Sequence, residues 1–189
     1  MSSPDLKEKD IPITELVHLW KHRDSLAMMP PEGWETVISI IQRLLPEYGV
    51  RDFTNLENDR CYVVEVLLHQ GQTDFLDDGI DLLAQNGGKV RVLQAFVSHI
   101  APYYYHYVWE MFTNGADEEL MFVYPKKSRL LQKERQIAFL VERLLNSFGY
   151  KLLSPRAAAT IIPEIETECL EKGEVAVFHL LFSELFSVH

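Results

Sequence analysis

The chain has 189 residues, with 28 acidic against 18 basic side chains and a formal net charge of −10. Nucleic-acid phosphates and anionic lipid need a basic surface, so this balance argues against both as partners, while a basic protein suits it, because complementary fields steer association. No apolar run reaches the roughly 18 residues of a membrane-spanning helix.

Residues 1–10 are polar and charged and are expected to form a disordered tail; residues 11–189 then make a single globular domain. The tail has no apolar signal region, so a cytoplasmic location is expected. Cys61 and Cys169 match no metal-ligand spacing and read as lone thiols of a reducing compartment.

Leu16, Leu19 and Trp20 put an apolar stripe on a helix from Ile13 to Leu26, which Pro30 and Pro31 stop. Within it His18 and His22 are four apart with Glu15 three before, but the Glu that a zinc-enzyme helix carries directly after its first His is Leu19 here, so no metal is assigned. Trp34, Val37, Ile38, Ile41, Leu44, Leu45 and Tyr48 follow the spacing of an amphipathic helix, ended by Pro46 and Gly49. Val50 to Phe53 is a short extended link. Thr54 or Asn55 is read as the cap of a helix to about Gln70. Thr73 begins another through Phe75, Leu76, Ile80, Leu82 and Leu83, which carries Asp74, Asp77, Asp78 and Asp81 on one face. In Lys89 to Ala101 the spacing of Val90, Leu93, Phe96, Val97 and Ile100 favours a helix, although the β-branched content also allows a strand.

The stretch from Pro102 to Pro125 reads as a β-hairpin. Tyr103, Tyr105, Tyr107, Trp109 and Met111 alternate with Tyr104, His106, Val108, Glu110 and Phe112, and Asn114-Gly115 with Asp117 and Glu118 supplies a polar turn. A loop from Thr113 to Glu118 sets Met111 opposite Leu120 and Trp109 opposite Phe122. Basic residues follow at Lys126, Lys127, Arg129, Lys133 and Arg135, without the glycine-rich loop of an anion site. Ile137, Leu140, Val141, Leu144, Leu145 and Phe148 form the clearest amphipathic helix, ended by Gly149. Ser154-Pro155 is a strong helix start, and that helix is expected to restart after Pro163 through Lys172 with Glu164, Glu166 and Glu168 along it. Glu174 to Ser183 is rich in strand-forming residues and reads as a third strand beside the hairpin. Arg43–Thr54 resembles Arg143–Ser154 in pattern: helix, glycine, extended link, cap.

The expected fold is α+β: a helical layer on a small antiparallel sheet centred on the 103–124 hairpin, with a mainly α bundle carrying an appended hairpin as the alternative. No serine elbow, phosphate loop or paired glycosidase signature occurs, and neither a catalytic residue nor a cofactor is assigned. The expected function is a non-catalytic acidic binding module, of the inhibitor or bacterial immunity type, that neutralises a basic toxin or enzyme. The partner-facing residues are Asp74, Asp77, Asp78, Asp81, Asp117, Glu118, Glu164, Glu166 and Glu168. Two alternatives stand beside it: a small enzyme whose site gathers His106, Glu110 and His179, and a structural subunit that docks through the aromatic hairpin or the Leu181–Phe186 segment.

Overall fold

The computed structural model describes residues 12–22, 33–56, 59–76, 79–114, 119–123 and 130–186. Among these lie six helices and six strands in the order α1 (Ile13–Lys21), α2 (Trp34–Leu44), β1 (Val50–Asp52), β2 (Cys61–Leu67), α3 (Gly79–Gln85), β3 (Lys89–Ser98), β4 (Tyr103–Asn114), β5 (Glu119–Val123), α4 (Gln132–Ser147), β6 (Lys151–Leu152), α5 (Pro155–Ala158) and α6 (Val177–Leu181). The fold is α+β. The sheet runs β1-β2-β3-β4-β5 with every neighbour antiparallel, and β6 adds to the start of β4 in parallel.

Two segments read as helices are the centre of this sheet. Cys61–Leu67 is β2, buried at every residue, and Lys89–Ser98 is β3, buried from Val92 to Ser98. A central strand covered on both faces has no polar side and therefore no alternation to read; Val63, Val64, Val66, Val90, Val92 and Val97 fit such a pleated, crowded position. The hairpin is β4 and β5, with Met111 opposite Phe122 and Thr113 opposite Leu120. The expected register is displaced by two residues, because Thr113 and Asn114 extend the strand. A displacement of two leaves each side chain on its expected face, and Trp109 still meets Phe122 diagonally, with ring centroids 5.9 Å apart.

Strand parity divides the core. On one face, Tyr62, Val64 and Val66 of β2, Leu93, Ala95 and Val97 of β3, and Tyr104 and Val108 of β4 pack under α2 and α4 through Trp34, Val37, Ile38, Ile41, Ile137, Ala138, Val141 and Leu145. On the other, Cys61, Val63, Phe96 and Tyr105 pack with α1 and with the chain from Leu153 to Phe186, including Phe178, Leu181 and Phe182. Farther along that same face Leu67, Val90, Val92 and Met111 are covered by Leu82 and Leu83 of α3. The two long amphipathic helices thus cover the Tyr104 face, and the Tyr105–Trp109 face is covered by α1, α3 and the C-terminal segment.

That segment departs from expectation. Glu174–Ser183 is no third strand: it makes a lone bridge from Ala176 to Ile161 and then turns into α6, buried at all five residues. A short helix buried all round has no polar stripe to mark its period. Residues 163–172 form turns, not a helix. Ser154 does cap a helix, its hydroxyl accepting from the Ala157 N–H at 3.2 Å, but α5 lasts four residues.

The two similar stretches use their glycines differently. Gly149 closes α4 at φ +87°, with Tyr150 N–H on Leu145 C=O and Gly149 N–H on Asn146 C=O, a left-handed helix end that glycine alone adopts freely. Gly49 has no positive φ; a Cβ there would meet the Phe75 ring and the Thr73 backbone at 3.3 Å. Their strands differ too, since β1 is antiparallel to β2 whereas β6 is parallel to β4. The resemblance is that of two helix exits and not of one repeated unit.

Candidate functional site

The acidic residues singled out from the sequence do not gather on one surface. Asp81 is exposed on α3, but Asp74 is exposed in the irregular stretch before it, so the expected common helix face does not form. Asp77, Asp78, Asp117 and Glu118 lie outside the described residues. Glu164, Glu166 and Glu168 are exposed on the turns that follow α5. Their neighbours Ile165 and Leu170 pack in the cluster built on the Cys61 end of β2, whereas α3 sits by Leu67 at the strand's other end.

The turn segment 163–174 is the most acidic exposed piece, with Glu164, Glu166, Glu168, Glu171 and Glu174 all exposed against one cation, Lys172. Its shape is fixed from below. Ile162 and Ile165 are buried, Leu170 N–H donates to the Thr167 hydroxyl at 3.1 Å, and Glu171 N–H donates to Glu174 at 3.1 Å. Glu184 accepts from Cys169 N–H at 3.3 Å and pairs with Arg60 at 2.8 Å. Burial opposes ionisation of Glu184, but the Arg60 and Thr167 hydrogen bonds, the Arg60 charge and the Cys169 N–H hold its carboxyl below the usual range.

The side chains that could serve acid–base chemistry are dispersed. His106 faces α4, where its Nε2 meets Glu142 at 2.8 Å. Glu110 is bound to Lys89 and Arg91. His179 lies across the sheet in α6, its Nδ1 accepting from Ala176 N–H at 3.0 Å and its Nε2 3.2 Å from the Phe186 carbonyl; burial holds this imidazole below its ordinary range. The three groups do not converge on one site. Nor is Leu181–Phe186 free to dock elsewhere, because Leu181, Phe182 and Ser183 are buried in the chain's own core and Phe186 packs edge-on to Phe96. Cys61 is buried and Cys169 exposed, both as free thiols.

Two of the buried carboxylates, Glu134 and Glu65, are paired with arginines. Arg91 grips Glu134 of α4 through two hydrogen bonds of 2.6 and 2.9 Å and reaches Glu110 on the next strand. Glu65, 1% exposed, pairs with Arg51 on the neighbouring strand at 2.6 Å and accepts from Gln94 at 3.1 Å. Burial raises the Glu65 carboxyl, an effect that the Arg51 charge opposes.

One concavity has no counterpart in the sequence reading. Where β3 turns into β4, residues 98–102 meet the start of α2 (Gly33, Trp34, Val37) and the end of α4 (Leu145, Phe148, Gly149, Tyr150) around a cleft of about 520 Å³. His99 lies at its wall. The imidazole packs at a tilt of 49° and 4.0 Å centroid distance against Tyr62, which itself stacks on Trp34 at 4.8 Å. Trp34 is oriented by its indole N–H, which donates to Asp52 at 3.1 Å. Among the described residues neither ring nitrogen of His99 has a hydrogen-bond partner, nor has the Tyr62 hydroxyl, and all three atoms are shielded from solvent. Burial lowers His99 to about 4 and pushes Tyr62 up to about 12, where Tyr150 and Asp52 add to the effect. A buried polar group without a partner costs about 1–3 kcal/mol. Nothing in the sequence could mark His99, since lacking a partner is a property of the assembled fold.

Compared with protein-family models, with curated proteins and with solved structures, the chain matches none. No described helix is long and apolar enough to cross a membrane.

Proposed function

We propose that this protein is a non-catalytic acidic binding module that engages a basic protein partner, in the manner of an inhibitor or immunity-type protein, through its 163–174 turn segment. The observation that carries the reading is the pairing of charge with fixed shape. Five exposed carboxylates lie within eleven residues, and residues 166–172 themselves line a concavity of about 560 Å³. Arg60 and Glu184 anchor it to the core, so little order has to be gained on binding. Preorganised acceptors lose less conformational freedom on association than a floppy acidic tail would. Their negative field draws a basic surface into encounter. The dispersal of His106, Glu110 and His179 leaves the scattered-site enzyme without a geometric basis.

The test is capture of the partner from the source cell with the tagged full chain, followed by stopped-flow association of the purified pair. Neutralising Glu164, Glu166 and Glu168 together to Gln is expected to slow association about tenfold at low salt and to flatten its salt dependence, while dissociation changes little. A tight partner whose on-rate ignores this triple substitution refutes the assignment of the loop.

A further inference from the structure

We propose that the cleft between the β3–β4 turn, the start of α2 and the end of α4 binds an uncharged, flat organic ligand, of the aromatic amide or heteroaromatic class, whose polar group hydrogen-bonds a ring nitrogen of His99. This site is separate from the acidic loop and does not rest on it.

Size and lining come first. A volume of about 520 Å³ falls within the range of about 300–1,000 Å³ typical of small-molecule sites. Trp34, Phe148, Tyr150 and Pro102 give flat or ring-shaped apolar walls, and two of the wall segments are turns built on Gly33 and Gly149. Among the described residues no Asp, Glu, Lys or Arg lines the cleft. A carboxylate or ammonium entering it would shed water and find no counter-charge among them, which is strongly unfavourable.

The polar requirement comes from His99. Both its ring nitrogens are unpartnered among the described residues, and so is the hydroxyl of Tyr62, whose ring packs against it. Native folds satisfy the great majority of such atoms, and an orphaned group at the wall of a cleft is one that a ligand can satisfy. At neutral pH the imidazole is uncharged and so presents one N–H donor and one acceptor nitrogen. The donor and acceptor point in divergent directions, so one ligand group meets one of them, and a primary amide or lactam, which can give or take a hydrogen bond, suits whichever nitrogen turns to the cleft. The nitrogens are shielded in the ligand-free geometry, so binding includes a turn of the imidazole towards the cleft, which its backbone does not follow because His99 N–H is held by the Arg60 carbonyl at 3.2 Å.

The experiment is a titration of the full ¹⁵N-labelled chain with benzamide as the probe, with toluene and benzoate as apolar and charged comparisons. Benzamide is expected to shift the Trp34 indole N–H and the amides of Phe148 and Tyr150 saturably, and to move the His99 ring-nitrogen resonances as one of the nitrogens gains a hydrogen bond. Toluene and benzoate are expected to bind about tenfold or more weakly, the loss that one unmade buried hydrogen bond entails. His99→Phe, which keeps a ring on Tyr62, is expected to weaken benzamide by a similar factor and leave toluene unchanged. No saturable shift up to the solubility limit of benzamide overturns the proposal. So does equal binding of benzamide and toluene, or benzamide binding that leaves the His99 nitrogens of the unsubstituted protein unmoved, a readout that holds even if the variant fails to fold.

Discussion

Removing the Arg91 charge should be among the most damaging single changes to this fold. Its guanidinium carries two carboxylates, and their surroundings differ. The Glu134 side chain is 5% exposed and, besides its bonds to Arg91, accepts from the Leu131 N–H at 2.7 Å. Glu110 is 18% exposed and keeps Lys89. In Arg91→Met the packing of the stem survives, but the Glu134 carboxylate stays buried with its counter-charge gone. Breaking a buried pair from one side costs about 3–5 kcal/mol; because Glu110 retains a partner, the lower part of that range applies, about 3 kcal/mol. For a domain of this length that corresponds to a fall in Tm of roughly 10 °C. Urea unfolding followed by circular dichroism, with linear extrapolation, measures the loss directly. The decisive comparison is Arg91→Met with Glu134→Gln. Once the orphaned charge is gone most of the deficit should be recovered, giving a coupling of about 2 kcal/mol between the two changes. A single-substitution cost below about 1 kcal/mol, or no recovery in the pair, would mean that the ion cluster does not fasten α4 to the sheet.

Two further outcomes follow from the core. His99 titrates near 4 when folded and near 6.5 when unfolded, so above pH 6.5 neither state binds a proton there, while below it the unfolded chain takes up a proton that the fold refuses. Stability should therefore fall as pH drops from 6.5 towards 4, by about 3 kcal/mol for a fully shielded ring and roughly 2 kcal/mol given its partial exposure. His69 and His179, also lowered by burial, act in the same sense, so His99→Phe should reduce this slope in denaturant titrations without abolishing it; an unchanged slope refutes the assignment. Phe178→Ala should cost about 3–5 kcal/mol, since the ring is 1% exposed and meets Phe96, Tyr105 and Phe182 at 5.3, 5.5 and 5.1 Å; Leu185→Ala, at a position 65% exposed, should stay within about 0.5 kcal/mol. Thermal melts of the two variants that coincide would contradict this placement of the core.

The legible parts of the fold were those with one wet side. Trp34–Leu44 and Gln132–Ser147 each bury a stripe and expose the rest, so their period survives in the sequence. The hairpin was legible through its alternating aromatics. β2 and β3 were not, because helices and turns cover both faces of the sheet; Val90, Leu93, Phe96 and Val97 match a helical period while serving opposite faces of a strand. Of the candidate site, sequence supplied the charge of Glu164, Glu166 and Glu168 but not the turn that holds them, whose anchor pairs Arg60 with Glu184 across 124 positions. The cleft at His99 was invisible for the same reason: its walls come from three separate stretches of chain.

The order in which the two faces of the sheet acquire their covers bears on how the protein is made. The strands that bear Phe96 and Tyr105 are complete by residue 114, whereas the part of their cover that holds Phe178, Leu181 and Phe182 is translated some sixty residues later. At about 5–20 residues per second, an emerging chain carries an incompletely covered aromatic sheet surface for seconds before the rest of its cover arrives. A nascent chain stalled before residue 153 should thus be a strong client of chaperones that grip exposed apolar surface, and release from them should coincide with synthesis of the 153–186 segment.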